Sequence, residues 1–291
     1  MIEERVALAR YTTIGTGGPA RWFARPSSLD ELVAVLADAR ERELPVEVIG
    51  LGSNLLADDD GVDALVLKLD GDLASAHVEG DLLVAGGGAP NAVCLHRVRA
   101  AGLGGFEFAS AIPGTAGGGV RMNAGAYGRE WRDVLVDAVV VDGDGARTFT
   151  ADELDLSYRH SRLGSGDVVA QVRFRLEPSS PDAVKAKVSE LLAQRKATQP
   201  TNKRTFGSVF KNPGDELGAG RAIEECGLKG YGIGGAVVSP RHANFIENAG
   251  GATSADCIAL MAEARRRVHE RFGVELEHEV QFLGPLELPP L

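Results

Sequence analysis

A chain of 291 residues with 44% apolar and 25% charged side chains has the size and composition of a globular protein of two modest domains or one large one. Its formal net charge of −10 excludes nonspecific attachment to nucleic acid or to an anionic membrane, but not an anionic ligand held by a few local cations. Cys94, Cys226 and Cys257 are too scattered for a CxxC pair or a disulfide framework. No run approaches the ~18 apolar residues of a membrane span, and MIEERVALARYTT lacks an apolar signal core. A soluble cytoplasmic protein with reduced thiols is expected.

Residues 27–43 read as a helix: Ser28 and Glu31 have capping-box spacing, Leu29, Leu32, Val33 and Leu36 share a face, and Pro45 follows. PVEVIG and DALVLKL (63–69) read as strands. LLVAGGG (82–88) is a strand entering a glycine loop, and the next helix opens at Pro90 and stops by Gly102. VLVDAVVVDGDGARTFT has the form of a hairpin with its Asp-Gly turn at 142–145, and DVVAQVRFRLE alternates as a strand does. PSSPDAV (178–184) marks a boundary and opens a charged helix over about 182–197. Beyond it come TFGSVFKNP (205–213), a short helix near 219–226, a strand near 236–247, a helix at 254–272 and a last strand at 274–283. Ile258, Met261, Ala264, Val268 and Phe272 give the 254–272 helix a core-facing stripe. The mixed order of elements, without internal repeats, predicts an α+β fold in two parts, 1–180 and 181–291.

Three glycine-rich segments stand out: GLGSNLL (50–56), GGGAPN (86–91) and IPGTAGGGVRMNAGAYG (112–128). Glycine permits close backbone approach, so that consecutive amides can converge on a phosphate. The first segment leads to another strand and the second lacks the G-x-G-x-x-G spacing, so a Rossmann unit is disfavoured. One such loop is an ordinary tight turn; three within eighty residues favour a bound nucleotide cofactor. The serine of TFGSVFKNP has no histidine within thirty residues on either side, so the sequence supplies no neighbouring base to make Ser208 a nucleophile. Histidines at 77, 96, 160, 242, 269 and 278 show no metal spacing, and no metal site is expected.

TTIGTGGPA (12–20), GLGSNLL, IPGTAGGGVRMNAGAYG, SYRHS (157–161), GSVFKNP (207–213), HANFIEN (242–248) and ELEHEVQFLG (275–284) together resemble the UDP-N-acetylenolpyruvoylglucosamine reductase family. The resemblance runs in the family's order from about residue 10 to residue 284, and its GSVFKNP and IPGT…MNAGAYG blocks are the specific ones. It implies an FAD-binding fold of the vanillyl-alcohol-oxidase type over 1–180, with subdomains of about 1–70 and 71–180, and a substrate domain over 181–291. It implies FAD, held without a covalent bond, and NADPH as reductant. The reaction implied is reduction of UDP-N-acetylglucosamine enolpyruvate to UDP-N-acetylmuramate for peptidoglycan precursor synthesis. Carried over motif by motif, Gly52, Ser53, Asn54, Leu55, Gly86, Gly88 and Ala89 would contact FAD. Pro113, Gly114, Thr115, Gly117, Gly118, Asn123, Ala124 and Gly125 would line the rest of its site.

Adding hydride to the β-carbon of an enolpyruvyl ether drives electrons into the carboxylate. The site therefore needs a cation and donors there, and an acid beside the α-carbon. Ser208 would be that acid, since a carbanion-like centre is base enough to take a hydroxyl proton. Arg159 matches the family's arginine, whose fork of donors binds and polarises the carboxylate. On the final segment Val274, Leu276, His278, Val280 and Phe282 share one face, and Glu275, Glu277, Glu279 and Gln281 the other. The residues alone do not choose among the glutamates; only the match to the family's Glu-Val pair selects Glu279. Lys203, Arg204, Lys211, Lys229 and Arg241 are available for a diphosphate, and Lys211, Asn212 and Tyr158 are favoured because they lie in or beside the matched motifs. A longer branch of the family inserts a tyrosine-bearing loop after the arginine segment. Here only RHSRLGSGD separates Tyr158 from the next strand, so the chain is similar to the shorter branch. Two other readings compete: an FAD-dependent oxidase or dehydrogenase of alcohols or hydroxy acids on the same fold, and a catalytically idle sugar-nucleotide-binding protein. Flavin freed by acid precipitation would argue against a histidine-linked oxidase, and NADPH oxidation with substrate against the idle protein.

Overall fold

The computed structural model describes residues 2–214 and 217–291. Helix α1 (Leu29–Glu41) starts at the expected cap, where the Ser28 hydroxyl accepts from the Glu31 amide at 3.3 Å. The reciprocal half of the box differs. Glu31 turns its carboxylate to the Ser27 amide and hydroxyl at 2.7 and 2.8 Å, and those bonds hold its pKa below the ordinary value. Pro90 stands just outside α2 (Asn91–Ala100) as its cap.

The next helix, α3 (Ala116–Arg121), is one that the sequence reading passes over. AGGGVR is a poor helix by propensity, since each glycine costs about 1 kcal/mol relative to alanine. Tertiary fit decides instead. A Cβ on Gly119 would lie 2.3 Å from the Trp131 ring, so only a bare backbone can pack there. Trp131 is itself fully buried, in edge contact with Phe106, Phe108 and Phe174 at centroid distances of 5.4, 5.4 and 6.1 Å.

Packing groups the chain into two compact units that interleave in sequence. Trp22–Leu51 and Ala64–Arg195, with Ile2 and Glu3, make the first; Glu4–Arg21, Gly52–Asp63 and Lys196–Leu291 make the second. The first unit is built on an antiparallel sheet in the order Gly145–Thr150, Leu135–Asp142, Val168–Arg175, Leu82–Gly86, Ala76–Glu79. The expected hairpin is there, with Asp142 opposite Gly145 across its turn. Leu32, Leu36 and Ala39 of α1 join Leu65, Leu67, Val141, Val168 and Ala170 in one core; the aromatic cluster anchors the other. Helix α4 (Pro181–Thr198) follows the Pro-Ser boundary.

In the second unit the strand Phe245–Asn248 lies between Thr205–Ser208 and Ala236–Val238, with Gly232–Ile233 beyond. The single strand expected near 236–247 is therefore two, separated at Pro240, which has no amide to donate. Helix α5 is Ala219–Glu225, and α6 is Ser254–Phe272. Helix α6 opens on a reciprocal box between Thr253 and Asp256. Its buried stripe is Cys257, Leu260, Met261, Ala264 and Val268, while Ile258 and Phe272 are only partly covered. The last strand is also shorter than expected. Only Gln281–Leu283 forms a ladder, parallel to Leu55–Ala57, and His278 makes a lone bridge to Phe210. The segment changes partner between those points, which breaks the ladder that a 274–283 strand would need.

Cys94 and Cys257 are fully buried, and burial pushes each thiol up to about 12; half-buried Cys226 is raised too, again by burial first. The native protein at pH 8 is expected to yield at most the Cys226 thiol to a disulfide reagent, and all three after denaturation. Rapid titration of more than one thiol in the native state would contradict this packing. Among the described residues no helix is long and apolar enough to cross a membrane.

Candidate active site

In the first unit, two of the glycine segments are zipped together. Gly117 and Ala116 donate to the carbonyls of Gly87 and Ala89, both at 2.9 Å, and the Asn91 amide donates to Gly114 at 3.0 Å. The approach is close enough that a Cβ on Gly87 would fall 1.7 Å from the Val169 carbonyl oxygen. This revises the expectation of converging amides. The N–H groups of Gly86, Gly87, Gly88 and Ala89 are already donated to Ser75, Ala170, Leu73 and Gly86. What the zipped loops provide is a surface without side chains. That surface floors a cleft lined by Gly87, Gly88, Thr115, Gly117 and Gly118, with Val48, Ile49, Leu69, Leu163 and Val169 as apolar walls. Gly50, Arg121 and Asp167 complete it.

Beyond α3 the chain builds the setting of Arg159. Ser157 and His160 exchange backbone hydrogen bonds at 3.1 Å, making Tyr158 and Arg159 the two residues of a tight turn. Arg159 holds φ at +55°, a left-handed conformation that costs a non-glycine residue about 1–2 kcal/mol. Its guanidinium donates to the Gly125 carbonyl at 3.0 Å and lies 4.9 Å from the Tyr158 ring centroid. Asn123, fully buried at φ +39°, ties this turn down. Its amide donates to Ser157 O and to Glu130 Oε2, both at 2.9 Å, and its oxygen accepts from the Arg132 amide at 3.0 Å. The strand starting at Val168 follows after only seven further residues, so the structure has the short connection read from RHSRLGSGD.

In the second unit, Gly52–Leu55 meets the serine and glutamate segments. Gly52 adopts φ +68° with its absent Cβ only 1.8 Å from the Tyr11 carbonyl oxygen, and Thr13 fixes the Gly52 carbonyl through its amide and hydroxyl, both at 3.0 Å. Gly207, at φ +84°, faces the Ser53 carbonyl. The Asn54 side chain donates to the Glu279 carbonyl at 3.1 Å, and the Gln281 amide donates to Asn54 O at 3.0 Å. Glu279 in turn donates its amide to Val209 O at 2.8 Å, next to half-buried Ser208. The two glutamates that the sequence left open now differ. Glu277 is 70% exposed and pairs with the Lys211 ammonium at 2.5 Å, whereas Glu279 is half-buried beside the serine strand. Asn212 accepts from the Ala219 amide at 3.1 Å. The organiser here is Asn244, which sequence reasoning missed. It is 5% exposed, and its carboxamide clamps the Phe210 backbone from both sides, accepting from N at 3.0 Å and donating to O at 2.8 Å.

Over 97% of its length, the chain is 47% identical to the UDP-N-acetylenolpyruvoylglucosamine reductase of Anaeromyxobacter dehalogenans (strain 2CP-C), covering 85% of that protein. The chain belongs to the UDP-N-acetylenolpyruvoylglucosamine reductase family.

A second relative, UDP-N-acetylenolpyruvoylglucosamine reductase 2 of Symbiobacterium thermophilum, is 44% identical over 95% of this chain and 90% of its own. The family model for the reductase's C-terminal domain matches residues 199–283, and the model of an FAD binding domain matches residues 20–150. Among solved structures, UDP-N-acetylenolpyruvylglucosamine reductase from Thermus caldophilus superposes with a TM-score of 0.84 at 35% identity, covering 97% of this chain and 99% of that one. The expected α+β flavoenzyme fold is thus the fold observed, and the chain is an FAD-dependent oxidoreductase of the family. The lining of the first unit's cleft fits such a group: a floor of glycines, aliphatic walls and one cationic side chain, Arg121.

Of the contacts implied in that unit, Gly88, Thr115, Gly117 and Gly118 line the cleft, and Gly86, Ala89, Pro113, Gly114, Asn123, Ala124 and Gly125 do not. The apolar walls went unread because a strand residue that faces a ligand and one that faces core look alike in sequence. Gly118 supplies a test. A Cβ there would meet nothing nearer than Thr115 Oγ1 at 3.4 Å, and alanine suits a helix better than glycine, so Gly118→Ala is expected not to lower the melting temperature of apo-protein. A methyl on the cleft floor should still weaken FAD by about tenfold or more, the scale of a steric misfit of 1–3 kcal/mol. Unaltered affinity in a flavin titration would remove Gly118 from the cofactor surface.

Proposed function

We propose that the chain reduces the enolpyruvyl ether of UDP-N-acetylglucosamine enolpyruvate to UDP-N-acetylmuramate, with NADPH as electron source and non-covalently held FAD. The observation that carries this reading is the meeting of Gly52–Leu55 with Gly207–Val209 and Glu279 in one unit. Three segments distant in sequence, each assigned to cofactor or acid by its motif, converge there through main-chain contacts.

Bound flavin supplies the hydride that reaches the β-carbon. The protein's task is the charge and the proton. Arg159, fixed on Gly125 and braced by the Asn123-held turn, takes the substrate carboxylate, where negative charge grows as the double bond is saturated. Ser208 donates its proton to the α-carbon, so one hydride and one proton are added across the double bond. Glu279, beside the serine strand, is the third residue of the catalytic set. Lys211, Asn212 and Tyr158 take the diphosphate and sugar; the Lys211 ammonium pairs with Glu277 here and keeps further donors for a phosphate oxygen. The test is stoichiometry: one NADPH consumed for each sugar nucleotide that gains two hydrogen atoms by mass. Oxidation of NADPH by oxygen alone, with the sugar nucleotide unchanged, would refute the proposal.

A further inference from the structure

The charged residues of the first unit's cleft, Arg121 and Asp167, converge on the backbone of a single residue, Gly164. The Arg121 Nη1 donates to the Gly164 carbonyl at 3.0 Å, and the Asp167 carboxylate accepts from the Gly164 amide at 2.7 Å. A third tie comes from Ser161, 4% exposed, whose hydroxyl donates to the Arg121 carbonyl at 2.7 Å. The Arg121 and Ser161 bonds fasten segment 161–167 to the end of α3, the Asp167 bond closes a turn within it, and its Leu163 and Asp167 form part of the cleft wall. Glu47 is the other ionisable group that senses Arg121: burial raises its carboxyl pKa and the arginine's charge opposes that rise.

We propose that Arg121 and Asp167 are positioning residues that hold segment 161–167 as a wall of the FAD cleft and set how slowly the cofactor leaves. The proposal rests on the flavin reading of this cleft. Both backbone polar atoms of Gly164 are thus held by side chains. Without the guanidinium, the carbonyl keeps only a 3.3 Å contact from the Asp167 amide. A charge-assisted hydrogen bond is the strong kind, so its loss should be felt in retention.

The experiment follows flavin fluorescence on dilution of holoenzyme, for wild type, R121M, R121K and R147Q, with melting of each apo-protein alongside. R121M is expected to release FAD about 10- to 100-fold faster, the range of a lost hydrogen bond to a charged group. R121K, which keeps a cationic donor, should recover most of the retention, and apo-protein melting should not change. R147Q alters an exposed hairpin arginine outside the segment that lies over the Phe149 ring, and should match wild type. Wild-type release from R121M, or release from R121K as fast as from R121M, overturns the proposal. Should R121M give no stable apo-protein, D167A breaks the second tie and carries the same expectation, and wild-type retention in D167A overturns it equally. A wild-type protein that holds no flavin refutes the flavin reading instead.

Discussion

Replacing Ser208 by alanine is expected to slow reoxidation of the reduced enzyme by the enolpyruvyl sugar nucleotide by about 10²–10⁴-fold, the usual cost of losing a general acid. NADPH should still bleach the flavin of the variant at the wild-type rate, because only the proton delivered to the α-carbon is lost. The fold gives the alanine no reason to disturb anything else. Ser208 ends a strand opposite Phe245, and the next residues are clamped by Asn244 rather than by the serine hydroxyl. Rapid-mixing absorbance separates the two half-reactions. Reoxidation at the wild-type rate would show that Ser208 is not the proton donor.

The second large effect concerns stability. Gly52→Ala would place a methyl 1.8 Å from the Tyr11 carbonyl oxygen at a φ of +68°, and Gly119→Ala would drive one to 2.3 Å from the Trp131 ring. Neither neighbour is a flexible side-chain end that can swing away. Each substitution is expected to cost about 3 kcal/mol or more, combining overpacking with backbone strain at Gly52. At the few degrees per kcal/mol found for domains of this size, the melting temperature should fall by roughly 6–12 °C. Thermal unfolding of the apo-proteins measures it, and melting within about 2 °C of wild type would contradict the contacts. The contrast with Gly118→Ala is informative, because the same glycine run serves packing at Gly119 and the cleft at Gly118.

That contrast marks what the sequence could and could not convey. The long elements were legible because their apolar periods are strong: α1, the hairpin turning at Asp142–Gly145, and α6 all lie where the pattern puts them. Helix α3 was not, because AGGGVR argues against a helix by propensity and the Trp131 surface that demands its glycines is a tertiary fact. The terminal strand was overread for a related reason. Alternation persists, with Leu276 and Val280 buried, but the backbone switches from residues 209–211 to Asn54 and the strand after it. In the candidate site, Ser208, Arg159 and Glu279 were legible only through motif resemblance. Their residue types alone suit a turn or a solvated face. The supports Asn123 and Asn244 act by clamping backbone atoms across many residues, and no local spacing announces that.

The central claim is that electrons pass from NADPH to an enolpyruvyl sugar nucleotide on this chain. It is tested most directly by the visible spectrum of the purified protein, recorded first alone, then with NADPH under anaerobic conditions, then after addition of UDP-N-acetylglucosamine enolpyruvate. The account predicts an oxidised flavin band that NADPH bleaches and the sugar nucleotide restores without oxygen. A flavin that stays bleached when the sugar nucleotide is added would contradict it.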